Sequence, residues 1–428
     1  MRKILTIGLF ILIVLPAAMA QNIENGAYQG FKIDGRKPDA IPDIIDIHVN
    51  SLSGGVSNFS DSDKKPLNGH YHIIIHSAKY ITANIARGIL EGEWRIFSHN
   101  NIVERGFFKK GSYDGELHKF YSEHEIYKFD NGKILHYIAY HPNGNLKIER
   151  RYENGQLHGR VIEYDEDGEL RSEVGYLYGK IDGKRIEVVK TNGKVNNITT
   201  SHYNSGILEG EYLALYGNNN IREKGSYDAE GKKTGKWITG NEDGTLHEEA
   251  GYLQGKYHGE RLRYRNGKPS YFEEYAYGRL NGKYIWYDDK YPSVREEKSY
   301  KDGHLDGVTK YYYDGTLQRE YIYREGDVIV EKSYIPDNGY TESFYQITKT
   351  STGRDSYSKS SRIAKMKVYA KNGKLQSLSL LNEKGDMVVV QEYDTSSGKV
   401  TKTNKEYKKH SSIKLKEDEF GIIDIELE

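Results

Sequence analysis

The chain has 428 residues with 62 basic and 62 acidic side chains, so its formal charge is zero and electrostatics makes no case for nucleic acid or an anionic membrane as the main partner. It has no cysteine, which excludes disulfides, thiolate zinc sites, cysteine nucleophiles and lipid attachment through an N-terminal cysteine. Hydrophobic residues reach only 36%, yet there are 38 tyrosines and 45 glycines, a balance that fits a thin fold cornered by glycine and filled by tyrosine better than a disordered chain.

Residues 1–20 read as a secretory signal. Arg2 and Lys3 form a basic start, Ile4 to Leu15 is an apolar run, and Ala18-Met19-Ala20 is a small-residue cleavage site that leaves Gln21 as the new terminus. The apolar run is shorter than the roughly 20 residues a membrane span needs. The expectation is export to the periplasm, the cell surface or the medium, and not as a lipoprotein. Residues 21–66 are turn-rich with one strand candidate at Ile41 to Val49, and are expected to cap the first hairpin. Asn68-Gly69-His70 opens a degenerate first unit.

From there a pair of glycines four residues apart recurs after an aromatic, as in Tyr152-Glu153-Asn154-Gly155-Gln156-Leu157-His158-Gly159. The first glycine falls at 88, 111, 132, 155, 179, 206, 231, 255, 278, 303 and 326, a period of about 24 that chance does not produce. His136 and Val330 replace the second glycine in two units. In one unit Asp228 stands where the aromatic belongs and the tyrosine is one residue early, at Tyr227. Each unit predicts two strands. The first follows the second glycine. The second follows a turn such as Asn143-Gly144, Asp167-Gly168, Asp243-Gly244, Asn266-Gly267 or Asp314-Gly315, which supplies the positive φ that tight hairpins need. The second strand often reads apolar-x-x-Glu-x-x-Tyr, with Glu149, Glu173, Glu249, Glu297 and Glu320 at its centre. Its ends share a face and the glutamate points to the other, which predicts one apolar and aromatic face and one charged face.

Tyr-x-x-Gly-x-x-x-Gly followed by a short aromatic strand resembles the MORN repeat in its bacterial variant form, over roughly residues 85 to 330. That resemblance implies an elongated, twisted antiparallel β-sheet of successive hairpins, the same hairpins that the periodicity predicts. Its bacterial members are commonly labelled antitoxins, a role that sits badly with a cleaved signal peptide, and MORN relatives are often discussed in connection with membranes. The organisation expected is a signal peptide at 1–20, a cap segment at 21–66, repeats at 67–330, and degenerate β repeats with an acidic tail at 331–428. In that last stretch Tyr369-Ala370-Lys371-Asn372-Gly373 and Tyr393 with Gly398 look like decayed copies.

No constellation for catalysis stands out. Equivalent glutamates of successive hairpins lie two strands, or roughly 10 Å, apart, too far to share one metal. They read as a solvated face with cross-strand Lys and Arg neighbours. His70, His72 and His76 fall on one strand face, but no matching carboxylate completes a metal site. His158, His258 and His304 sit in or beside the turns and are expected to satisfy turn hydrogen bonds. Motif tyrosines such as Tyr176 and Tyr252 are expected to be core, whereas Trp94, Trp237, Trp286 and Tyr311 to Tyr313 are the better surface candidates, with a core role left open for each. Lys349 to Lys374 is basic and Lys416 to Glu428 acidic, runs that suit a solvated loop and tail. No Gly-x-Ser-x-Gly elbow, phosphate loop or dinucleotide fingerprint occurs. The reading is an all-β, exported, non-enzymatic repeat protein with no cofactor, serving as a protein-interaction scaffold. The alternative is an envelope module for carbohydrate or lipid.

Overall fold

A computed structural model describes residues 43–44, 48–51, 57–60, 64–76, 79–290, 292–353, 356–382, 384–404, 413–417 and 423–427. Those residues form strands and turns and no helix. Residues 1–20, and with them the signal segment, lie outside the described residues, as does most of the cap segment. The chain divides into two compact units, Met1–Val188 and Val189–Glu428.

In the first unit strands pair with their chain neighbours, antiparallel, from Gly69–His76 through Lys79–Ala86, Ile89–Ser98 and Asn101–Lys109, and on to Leu170–Leu177. The strand Asp43–Ile44 is an exception, pairing parallel with His72 and Ile73. In the second unit the same pairing runs from Lys194–Asn204 and Ile207–Tyr216 to Met387–Tyr393 and Val400–Thr403. Strands continue past Val330, where Gly339–Gly353 and Ser356–Tyr369 form the longest hairpin. A separate hairpin, Ile413–Glu417 with Ile423–Leu427, lies in the acidic tail.

The paired glycines work as turn corners. All eleven first glycines have positive φ, and so do the second glycines wherever present. The residue before the first glycine is left-handed too, whether Arg87, Lys110, Tyr178 or Gln254. Two consecutive left-handed residues make the type I′ turn whose twist matches that of the strands it joins. The unit with Asp228 departs from this for a physical reason. Its extra residue builds a wider turn, closed by Gly231 N–H to the Asp228 carbonyl (2.9 Å) and Asp228 N–H to the Lys232 carbonyl (2.8 Å).

The turns at the other ends of the strands are of two kinds. Asn266-Gly267 and Asp314-Gly315 have both residues at positive φ, as expected. At Asn143-Gly144, Asp167-Gly168 and Asp243-Gly244 only the glycine does. There a type I turn precedes a left-handed glycine, as in Gly144 N–H to the His141 carbonyl at 2.9 Å.

Successive units are clasped by a pattern of hydrogen bonds. The first glycine of a unit donates its N–H to a carbonyl two residues before the second glycine of the preceding unit: Gly88 to Leu67, Gly111 to Leu90, Gly179 to Leu157, Gly278 to Tyr257 and Gly303 to Leu280, at 2.8–3.0 Å. The residue just before that second glycine accepts, with its side chain, the N–H of the residue that precedes the first glycine. Glu91 accepts from Lys110 (2.7 Å), Asp114 from Asn131 (3.1 Å), Asn281 from Asp302 (3.1 Å) and Asp306 from Glu325 (3.0 Å). The opposite turns are clasped as well, since Asn143 and Asn145 donate to the Glu166 carbonyl, and Asn218 and Asn220 to that of Glu242. Backbone groups that a turn would leave unpaired are thereby satisfied from one repeat to the next.

Candidate binding surface

Apolar burial is concentrated in the first hairpins, where Phe59, Leu67, Ala83, Ile85 and Leu90 form one cluster, flanked by Tyr71, Ile81, Trp94 and Phe108. Further along, direct cross-strand pairing builds rows of mixed chemistry on the face that carries the motif tyrosines. One row runs Ala250, Arg261, Glu273, Tyr284 and Lys298, and the next Glu248, Arg263, Tyr271, Trp286 and Glu296. Arg261 donates to Glu248 (2.6 Å) and Glu273 (3.2 Å), and Arg263 to Glu273 (3.0 Å). Glu273 is only 5% exposed, so its charge depends on both arginines. The guanidiniums also lie over rings, Arg261 on Tyr257 at 4.5 Å and Arg263 on Tyr271 at 4.2 Å. Burial pulls the Arg261 guanidinium down, and the adjoining Glu248 outweighs it, leaving the group above its ordinary value. The aromatic face therefore departs from the apolar one expected, because long arginine stems and tyrosine rings pack as well as aliphatics while their polar ends find partners within the sheet.

Ring geometry bears on the surface candidates. Tyr271 and Trp286 stack at 6.0 Å and 12°, Tyr80 and Phe97 at 4.5 Å and 9°, and Tyr340 and Tyr369 at 4.4 Å and 14°. Each such ring faces a neighbour along the sheet, so the stack uses the faces that a sugar ring would need. Tyr252 lies between Trp237 and Tyr257, within ring contact of both. Trp237, one of the surface candidates, is 2% exposed. Its indole fills the space over Gly225, touches Tyr212, Tyr227 and Tyr252, and donates to the Ser226 carbonyl at 3.1 Å. Trp94 likewise packs on the first cluster. Tyr312 donates to Glu297, Tyr311 meets Tyr321 edge-on, and Tyr313 alone of that run is fully at the surface, 77% exposed.

Phenols beside carboxylates are held protonated. Burial, followed by Glu104, pushes Tyr113 up to about 12, and burial together with Tyr271 does the same for Tyr284. Such tyrosines donate hydrogen bonds and are poor bases or nucleophiles near neutrality.

The five repeat glutamates lie on the opposite face, and Glu173, Glu249 and Glu320 contact the cross-strand Lys or Arg neighbours expected, whereas Glu149 and Glu297 contact other partners. Glu149 contacts His136 (3.0 Å) and Arg151 (3.1 Å), Glu173 Arg160 (2.8 Å), Glu249 Lys236 (3.1 Å), and Glu320 Lys332 (3.4 Å), while Glu297 accepts from Tyr312. Glu297, Lys310, Glu320, Lys332, Glu342 and Lys367 stand in directly paired positions, a row of alternating charge. Burial lowers the Lys332 ammonium, and Glu320 and Glu342 outweigh it and raise it.

The histidines are dispersed. His70 pairs with Asn84 and His72 meets Tyr80 edge-on at 4.4 Å, while the side chain of His76 lies outside the described residues. His258 accepts from Tyr277 N–H at 3.5 Å, a turn role, whereas His158 contacts Glu153 at 3.3 Å and His304 is exposed. A pair that the spacing did not suggest is His118 and His124, with Nδ1 and Nε2 3.2 Å apart and Glu116 on the far nitrogen of His118 at 3.1 Å. Among the described residues no group of three or more His, Asp or Glu side chains is placed to hold a metal, and no helix is long and apolar enough to cross a membrane.

Comparison with known proteins adds a family. The model of the MORN repeat variant matches residues 135–154 and 157–177. No curated protein matches the chain significantly. Among solved structures, alternansucrase in complex with isomaltononaose aligns at 14% identity over 81% of this chain and 23% of its own, with a TM-score of 0.18. The TcdB2-TccC3 structure aligns at 10% identity over 86% and 24%, TM-score 0.16, and the Photorhabdus luminescens Tc holotoxin pore at 12% over 88% and 19%, TM-score 0.13. The chain spans about a quarter of the length of these proteins or less, and likenesses at such TM-scores carry no argument. Residues 135–154 and 157–177 are repeats of the MORN variant type, and the units before and after them share their glycine-and-tyrosine frame.

Proposed function

We propose that the protein is exported through its N-terminal signal, cleaved after Ala20, and serves outside the cytoplasm as a non-enzymatic scaffold that binds another protein. The supporting observation is the clasped hairpin array. Each unit repeats one backbone frame while its exposed side chains vary, and among the described residues of each unit no helix packs on the sheet. A repeat sheet of that kind offers a broad, preorganised surface at low entropic cost, which favours protein partners. Its polar groups are spent on one another, as Glu273 is on Arg261 and Arg263, and this supports holding rather than chemistry. Crosslinking in the native host followed by partner identification tests the reading. One or two proteins enriched outside the cytoplasm is the expected result. Retention by liposomes or envelope glycan with no protein crosslink would defeat it in favour of the envelope-module alternative.

A further inference from the structure

In the second unit the regularity of the turns breaks at the strand that precedes Gly217. The strand Lys194–Asn204 outruns its partner Ile207–Tyr216: pairing ends at Asn197 opposite Tyr216, and Lys194, Val195 and Asn196 project beyond it. The chain after Tyr216 passes directly against this overhang. It does so at Gly217, where a Cβ would overlap the Val195 carbonyl, so only glycine permits the approach. The next turn is drawn in from the other side, because Asn218 and Asn220 donate to the Glu242 carbonyl at 2.7 and 2.9 Å. The same clamp at Asn143, Asn145 and Glu166 follows the strand Lys133–Tyr140, but there the preceding strand begins at His124, directly opposite Tyr140, and leaves no overhang. Overhang and clamp together enclose a cleft of about 370 Å³ across three successive turns.

The lining is polar and its charge cancels. Lys194 and Glu242 supply one cation and one anion, Asn196, Asn197 and Asn218 supply carboxamides, and Tyr216 is the aromatic wall. Tyr216 is fixed by its hydroxyl, which donates to the Gly240 carbonyl at 3.2 Å. The Asn196 amide is engaged with Thr191 and the Asn218 amide with Glu242. Among the described residues the side-chain ends of Lys194, Asn197 and Glu242 have no hydrogen-bond or ion-pair partner, and they are the groups left to meet a ligand.

We infer that this cleft binds a neutral saccharide residue. An ammonium, a carboxamide and a carboxylate converging on one small space can all bond to hydroxyls, which both donate and accept. An anionic ligand would meet Glu242 and a cationic one Lys194, whereas a neutral polyol uses both. The volume suits one or two sugar rings, and the open position at the turns admits a residue within a longer chain. The inference goes beyond the scaffold reading and does not depend on it.

The test titrates the purified full-length protein with soluble neutral hexose oligomers, N-acetylhexosamine oligomers and hexuronate oligomers, by calorimetry and saturation-transfer NMR. Binding of a neutral oligomer is expected. Asn197→Ala and Glu242→Ala should each weaken it about fivefold or more, and Lys194→Ala should do the same. Lys194 and Glu242 are exposed and Asn197, half-buried, spends no side-chain bond within the fold, so the thermal midpoint should stay unchanged in all three. Three results would overturn the inference: no neutral oligomer bound, binding confined to hexuronate, or neutral binding that the three variants leave intact.

Discussion

The hairpins around Ile85 and those around Glu273 share one backbone frame and are held together by different chemistry. In the first, aliphatic and aromatic side chains meet without polar intermediaries: Phe59, Leu67, Ala83, Ile85 and Leu90 are all buried. In the second, the equivalent space holds Arg261, Arg263, Glu248, Glu273 and the rings of Tyr257 and Tyr271. A thin sheet cannot exclude water from every position, so residues with apolar stems and charged ends cover rings and still reach partners. The first chemistry supplies stability that salt barely touches. The second supplies order that holds only while every charge is matched.

Two substitutions should break that comparison most sharply. Ile85→Ala removes a side chain that is 3% exposed and should cost about 3–4 kcal/mol, the same in dilute buffer and in high salt. Glu273→Ala leaves Arg261 and Arg263 side by side. It should cost about 2–3 kcal/mol, less than a fully buried pair because the Arg263 side chain is 35% exposed. That loss should shrink at about 1 M salt, where the remaining repulsion is screened. Denaturant unfolding at two salt concentrations checks both, and equal salt response of the two variants would remove the distinction.

Between these regions the packing of Trp237 on Gly225 gives the next effect. A Cβ at position 225 overlaps the indole, which the rings of Tyr212, Tyr227 and Tyr252 hem in. Gly225→Ala should therefore cost about 2 kcal/mol by overpacking, read as a lowered thermal midpoint with altered tryptophan fluorescence. An unchanged midpoint would mean that the indole moves aside freely. Smaller still is the clasp at Asp114, whose carboxylate accepts from Asn131 N–H. Asp114→Ala should cost about 1 kcal/mol and should speed hydrogen exchange at the Asn131 amide more than at strand centres.

The frame of this fold is plain in the sequence because glycine is conspicuous and its requirement is steric. Every first glycine of the repeat occupies a left-handed corner. The clasp was harder to see. Asn68, Glu91, Asp114, His258, Asn281 and Asp306 all hold the same place and have nothing in common except an acceptor atom, so identity-based reading passes over them. A search for any acceptor before the second glycine would have found it. Of the surface and core places open to Trp237, the core one depends on Gly225 beneath the indole, which the strand pattern does not reveal. The Asn197 cleft depends on a strand overrunning its partner by three residues, a matter of register that no local pattern fixes.

The smallest effect expected concerns pH and lies in the first unit. The rings of His118 and His124 are 20° from coplanar, with their near nitrogens 3.2 Å apart, a geometry for sharing one proton. Burial lowers the affinity of both for a second proton. Arg105 lowers it further at His118, while Glu116 acts in the opposite direction and is outweighed. In the folded chain both therefore titrate below their ordinary value of 6.5, whereas in the unfolded chain they do not. Their contribution to stability is present above pH 6.5 and is lost as the pH falls through the folded values, because the unfolded chain then binds protons that the folded one resists. The thermal midpoint of the wild type should fall between pH 7 and pH 5 by more than that of His124→Phe, which keeps a ring for Phe120 and Tyr140 to stack on and removes the titration. Parallel pH profiles for the two proteins would show that the pair binds protons equally in the folded and unfolded chains, and that burial at this site does not couple protonation to folding.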